Sequence, residues 1–136
     1  MSELRVRDLM TDDPFSLETD ATLYDLRESL AEKSIRHVPI VGEEGELVGL
    51  ISERDMLRMA IAPASELPVS MQADAMRAST VSDIMTREVE TVGPDDSISL
   101  AAQLMLDNKY GCLPVVDGDR LVGILTESDF VRYLAG

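Results

Sequence analysis

A chain of 136 residues allows one compact domain, or two very small ones sharing a core, since a half of roughly 65 residues buries too little apolar surface to be robust alone. Twelve basic against 26 acidic residues give a net charge of −14, which opposes general nucleic-acid binding, because phosphate affinity needs clustered Lys and Arg. A single cysteine, Cys112, excludes an internal disulfide and fits a reducing cytoplasm; the start of the chain lacks the apolar run of a signal peptide and no stretch approaches membrane-spanning length.

In chain order, a short helical turn is expected to end at Met10-Thr11, followed by an extended piece at Phe15-Ser16-Leu17. Leu23, Leu26 and Leu30 at helical spacing predict a helix over Thr22–Lys33, with Asp20 just ahead of its N-terminus. Two aliphatic runs follow, Val38–Val41 and Leu47–Ile51, joined by the turn Gly42–Glu46. Pro39 cannot donate to a ladder and is expected at a strand start or an edge. A helix then runs from near Ser52 to Ala60. Residues Ile61–Thr80, with Pro63 and Pro68, read as a connector with a helical piece around Ser70–Ala78, too apolar to float free.

The same elements then recur: a turn ending at Met85-Thr86, an extended piece at Glu90-Thr91-Val92, and a helix over Ser97–Asn108 with Asp95 ahead of it. Leu113–Val116 and Leu121–Leu125 follow, joined by Asp117-Gly118-Asp119-Arg120, and the last helix runs from Thr126 to Leu134. Val6-Arg7-Asp8-Leu9-Met10-Thr11 lies over Val81-Ser82-Asp83-Ile84-Met85-Thr86 at an offset of 75. After one deletion in the hairpin turn, the offset of 74 carries Leu47–Asp55 onto Leu121–Asp129. The chain is a duplication, read as repeats over 1–60 and 81–136 with a connector at 61–80.

The chemistry-bearing motif is Gly-aliphatic-aliphatic-Ser/Thr-x-x-Asp at a strand-to-helix junction, present as Gly49–Asp55 and Gly123–Asp129. A helix starting there presents free N–H groups and a positive dipole end suited to phosphate. The Ser or Thr hydroxyl can donate to phosphate, the Asp can accept from vicinal ribose hydroxyls, and Gly49 and Gly123 leave room for a planar base. The same spacing is also a capping box, in which Ser52 and Thr126 merely start helices. Both readings stand on the pattern, and they are compatible.

Taken together, Asp-(Leu/Ile)-Met-Thr, the amphipathic helix, the aliphatic-Pro-aliphatic-Val strand and Gly-aliphatic-aliphatic-Ser/Thr-x-x-Asp resemble a cystathionine-β-synthase (CBS) domain, twice over. The resemblance implies an α/β (α+β) fold, each repeat β-α-β-β-α, with the repeats packed by their sheets about a pseudo-twofold axis as a Bateman module. It implies a non-catalytic regulatory module that binds AMP, ADP, ATP, NAD or S-adenosylmethionine in clefts between the repeats. No cofactor is required, and the partners implied are the ligand, a second copy in a homodimer, and an effector protein, with neither nucleic acid nor membrane. By position, Ser52 and Asp55 would hold ligand in one cleft and Thr126 and Asp129 in the other, with the base near Ser16 and Leu17 or Thr91 and Val92. Arg36, His37 and Arg54 flank the first motif, whereas Gly111, Cys112 and Ser128 replace them in the second. If these side chains line the clefts, the first is cationic and suits a phosphate tail, and the second is neutral or acidic and suits a less anionic ligand.

Other features carry less. One His and one Cys offer neither a metal cluster nor a nucleophile–base pair, and no Gly-rich phosphate loop with Lys supports a nucleotide hydrolase. The turn Glu43-Glu44-Gly45-Glu46 reads as a solvated hairpin tip before it reads as a Mg²⁺ site. The ten Arg against two Lys, with acid spread throughout, would suit a salt-rich cytoplasm as well as an ordinary acidic protein. A dimeric scaffold without ligand is the alternative function.

Overall fold

A computed structural model describes residues 4–56 and 69–136, with only the backbone described for 69–73. Helix α1 (Val6–Leu9) closes on Met10, whose N–H donates to the Val6 carbonyl at 2.9 Å, and the second copy makes a 3-10 turn, Val81–Asp83, closed by Met85 N–H on Val81 at 2.9 Å. The amphipathic helices are α2 (Leu23–Lys33) and α5 (Ile98–Asn108). Thr22 and Ser97 cap them: Asp25 N–H donates to Thr22 Oγ1 (3.1 Å) and Leu100 N–H to Ser97 Oγ (3.1 Å). Asp95, expected ahead of the second helix, pairs instead with Arg7 at 2.5 Å. A hydroxyl reaches the N3 amide from the cap position, which a carboxylate two residues earlier does not.

Two three-stranded sheets form. One has the order β2 (Leu17–Glu18), β3 (His37–Val41), β4 (Leu47–Ser52), and the other β1 (Thr11–Asp12), β6 (Arg120–Thr126), β5 (Cys112–Asp117). β2 runs parallel to β3, with Leu17 opposite Ile40, and Val92 makes the equivalent parallel bridge to Val115. Pro39 therefore lies within a central strand, not at a start or an edge. It is tolerated because the parallel neighbour begins only at Leu17, opposite Ile40, so the missing donor falls before that ladder. The same register spares Pro114: Val92 N–H donates to its carbonyl at 3.2 Å, and the first donor β5 must supply is Val116 N–H, to Val92 at 2.9 Å.

The chain divides into two compact units that are not contiguous in sequence. The Thr126 unit comprises Met1–Pro14, Gly45–Leu47 and Val89–Gly136, and the Ser52 unit comprises Phe15–Glu44 and Val48–Glu88. Each sheet thus takes its Met-Thr segment from the other repeat. Thr11 pairs with Ile124 and Asp12 with Gly123, while Thr86 bridges to Leu50. Leu26, Ile40, Ile51 and Val81 are fully buried in the Ser52 unit, as are Val6, Leu113, Val115 and Leu125 in the Thr126 unit. Val81 and Val6 are the exchanged residues of each core.

The connector's expected helix is α4 (Val69–Ala78), and it packs on α2. Met76 is buried, Arg27 donates to its Sδ at 3.4 Å, and the guanidinium groups of Arg27 and Arg77 lie over the Tyr24 ring at 5.0 and 4.1 Å from its centre. The rest of the connector, 61–68, and the end expected at Ala60 lie outside the described residues. At the acidic turn, Gly45 (φ 85°) accepts from Leu121 N–H at 3.1 Å, and the Arg120 guanidinium lies over it. The glycine closes the turn, and Glu43 and Glu44 at the tip are exposed, as expected of a solvated tip.

Candidate functional site

In the Ser52 unit, β4 ends at Ser52 and the chain turns directly into helix α3, described over 53–56. Ser52 N–H donates to Asp55 Oδ2 (2.9 Å) and Asp55 N–H to Ser52 Oγ (3.1 Å), a complete capping box. Glu53 N–H donates to the Arg36 carbonyl at 2.8 Å, so the loop entering β3 is tied to the start of the helix. Ser16 and Leu17 lie at the start of β2, where Leu17 stands opposite Ile40, three positions along β3 from His37, so the pairing does not bring them level with Arg36, His37 and Ser52. Arg36 and Arg54 are exposed; Ser16, Leu17, His37, Ser52 and Asp55 are half-buried.

The Thr126 unit repeats the arrangement with different chemistry. Cys112 pairs with Thr126 across β5 and β6, and Glu127 N–H donates to the Gly111 carbonyl at 3.3 Å. Val92 bridges to Val115, three positions along β5 from Cys112, so Thr91 and Val92 are likewise not level with Cys112 and Thr126. Helix α6 (Glu127–Ala135) starts with Thr126 N–H and Thr126 Oγ1 both donating to Asp129 Oδ2, at 2.8 and 3.2 Å. Asp129 is only 5% exposed, and Arg132 Nη2 donates to its Oδ1 at 2.6 Å.

Three sequence expectations change. The helix starts are not open rows of donors: in the Ser52 unit the N–H groups of Ser52, Glu53 and Asp55 already have partners. The motif glycines do not make space for a base. A Cβ on Gly49 would lie 2.5 Å from Met85 Sδ and 3.0 Å from the Thr86 carbonyl. A Cβ on Gly123 would meet Met10 Sδ and the Thr11 carbonyl at the same distances, so both glycines exist for the exchanged Met-Thr segment. Finally, the second motif does not lack a cation. Arg132 lies outside the motif itself; the offset of 74 pairs it with Arg58, three residues in sequence beyond each Asp. Arg58 lies outside the described residues.

Cys112, facing Thr126, is buried, and desolvation pushes its thiol from 9.0 up to about 12. Between pH 9.0 and about 12 the unfolded chain releases a proton that the folded chain keeps, so stability falls as pH rises through that window, by at most about 1.4 kcal/mol per pH unit. Urea unfolding at pH 8.5 and 10.5 should show a steeper loss for the native chain than for Cys112→Ala. Equal slopes would contradict the burial argument. Among the described residues no group of three or more His, Cys, Asp or Glu could hold a metal ion, and no helix is long and apolar enough to cross a membrane.

Comparison with known proteins supplies the frame for this geometry. The chain is 32% identical to the protein MJ1225 of Methanocaldococcus jannaschii over 95% of its length, spanning 42% of that protein. It covers a quarter, 25%, of the homoserine O-acetyltransferase of Methanohalophilus mahii, at 33% identity. Among solved structures, CBSX2 in complex with AMP superposes with a TM-score of 0.81 at 28% identity, covering 96% of each chain. The CBS domain pair of MJ0100, in complex with 5′-methylthioadenosine and S-adenosylmethionine, gives a TM-score of 0.80 at 29% identity, covering 99% of this chain and 98% of that one. With the CBS domain model matching twice, over residues 6–61 and 81–136, and on the exchanged sheets and paired Ser/Thr-x-x-Asp helix starts described above, the chain belongs to the CBS domain family.

Proposed function

We propose that this chain is a regulatory module, without catalysis of its own, that binds adenosine nucleotides or related adenosyl ligands at the Ser/Thr-x-x-Asp ends of its sheets. The observation that carries this reading is the repeated junction at which the motif hydroxyl and carboxylate meet at a helix start tied to the entrance of the preceding strand, by Glu53 N–H on the Arg36 carbonyl and by Glu127 N–H on that of Gly111. AMP in CBSX2 and the two adenosyl compounds in MJ0100 support the ligand class. On this reading Ser52 and Thr126 meet phosphate or its surrogate, Asp55 and Asp129 meet ribose, and the base lies near Ser16 and Leu17 or Thr91 and Val92. Arg54 and Arg36, both exposed, give the first site its charge, with His37 beside them. The module acts in the cytoplasm as a homodimer of two-repeat chains and passes its state to an effector, by shifting the population between two arrangements that bind ligand unequally.

A second reading is a dimeric scaffold without ligand. The observation in its favour is that both motif carboxylates are already engaged in caps, Asp129 with every acceptor position on one oxygen used. Thermal unfolding with AMP, ADP, ATP, NAD and S-adenosylmethionine separates the two. Binding predicts a rise in Tm with at least one, since ligand at 100 times its Kd adds about 2.7 kcal/mol; no rise with any of them favours the scaffold. Arg54→Ala should weaken AMP and ATP without altering the melting temperature of the free protein, and an unchanged affinity would remove the arginine from the site.

A further inference from the structure

We infer that Arg132 is the specificity-determining cation of the Thr126 site and makes that site selective for adenosyl ligands carrying an anionic tail; this rests on the reading of the motif as a ligand site. The motif carboxylate is divided between two tasks. Asp129 Oδ2 takes both donors of the cap, from Thr126 N–H and Oγ1. Oδ1 is the oxygen left for a ribose hydroxyl, and it already accepts from Arg132 Nη2 at 2.6 Å. A carboxylate oxygen has two lone pairs, so the arginine does not preclude a second donor there.

The two partners differ sharply in exposure. The Asp129 side chain is 4% exposed and that of Arg132 68%. The buried carboxylate therefore anchors one nitrogen of the guanidinium, and the exposure of the rest leaves most of its five N–H donors in solvent. Anchoring removes rotamer freedom before the ligand arrives, and a planar fork suits the oxygens of phosphate. Charge argues the same way. Without Arg132, a phosphate here would meet the charges of Asp129 and the exposed Glu127 with no cation in the motif. With it, the Asp129 charge is compensated and Glu127 alone opposes an anion. The cationic deficit suggested by Gly111, Cys112 and Ser128 is thus reduced from one helical turn further on.

The test uses the full chain and reads the Thr126 amide resonance during titration with AMP and, separately, adenosine, so that this site is observed apart from the other. Arg132→Gln should weaken AMP by about tenfold and leave adenosine nearly unchanged, while Arg132→Lys retains part of the AMP affinity. AMP and adenosine weakening equally, or AMP unchanged, overturns the inference and leaves the binding reading intact. A Thr126 resonance that moves with neither ligand in the native chain overturns the binding reading and this inference with it. Because Arg132 is exposed, the free variants should keep the native amide spectrum elsewhere.

Discussion

Gly123→Val is expected to be the most damaging single substitution considered, costing about 3 kcal/mol in urea unfolding, with Gly123→Ala milder at about 2 kcal/mol. The first carbon added would lie 2.5 Å from Met10 Sδ and 3.0 Å from the Thr11 carbonyl. The thioether is flexible and can retreat, but the carbonyl belongs to the strand segment that pairs Thr11 with Ile124 and Asp12 with Gly123. Yielding there costs ladder hydrogen bonds. Gly49 should behave the same way against Met85 and Thr86. The exchange of segments makes a sharper prediction still. Met10→Ala should couple to Gly123→Ala and not to Gly49→Ala, whereas Met85→Ala should couple only to Gly49→Ala. A double-mutant cycle reads this directly. Coupling of Met10 with Gly49 would contradict the crossed pairing.

Asp129→Ala should show two effects at once, because one carboxylate closes the cap and faces the proposed ligand. Losing the acceptor leaves the Thr126 amide without its partner at a buried helix start, for a cost of about 2 kcal/mol. Asp55→Ala should cost less, about 1 kcal/mol, since Asp55 is only half-buried. Asp129→Asn separates the roles. Its amide oxygen can still accept from Thr126 N–H, so most stability returns, but the charge that anchors Arg132 is gone. We expect Asp129→Asn to fold like the native chain while losing affinity for AMP at this site, as read by melting temperature and by titration. An Asn variant that binds AMP with native affinity would reduce Asp129 to a cap.

Much of this was legible from residues alone. Helix periodicity placed α2 and α5 to within a residue, and the turn chemistry of Asp117–Arg120 placed the β5–β6 hairpin, because both signals are local. The duplication exposed the motif positions. What it concealed was partnership. Aligning Met10 with Met85 and Gly49 with Gly123 gives equivalence, and equivalence is the same whether each methionine covers the glycine of its own repeat or of the other. Only the long-range pairing of Thr11 with Ile124 and of Thr86 with Leu50 decides it. Pro39 was misplaced for a related reason: a two-residue parallel neighbour leaves a central strand partly unpaired, and nothing in the composition of β3 announces how short that neighbour is. Arg132 escaped notice because it acts one helical turn beyond the motif, although its alignment with Arg58 was there to be read.

The central claim, that the two Ser/Thr-x-x-Asp ends bind adenosyl ligands, is tested most directly by crystals of the full chain grown in saturating AMP. The account predicts adenosine density at one or both motif ends, with ribose hydroxyls on the Asp55 or Asp129 carboxylate and the base beside Ser16 and Leu17 or Thr91 and Val92. Density for AMP elsewhere on the molecule, or none at either motif, would contradict it.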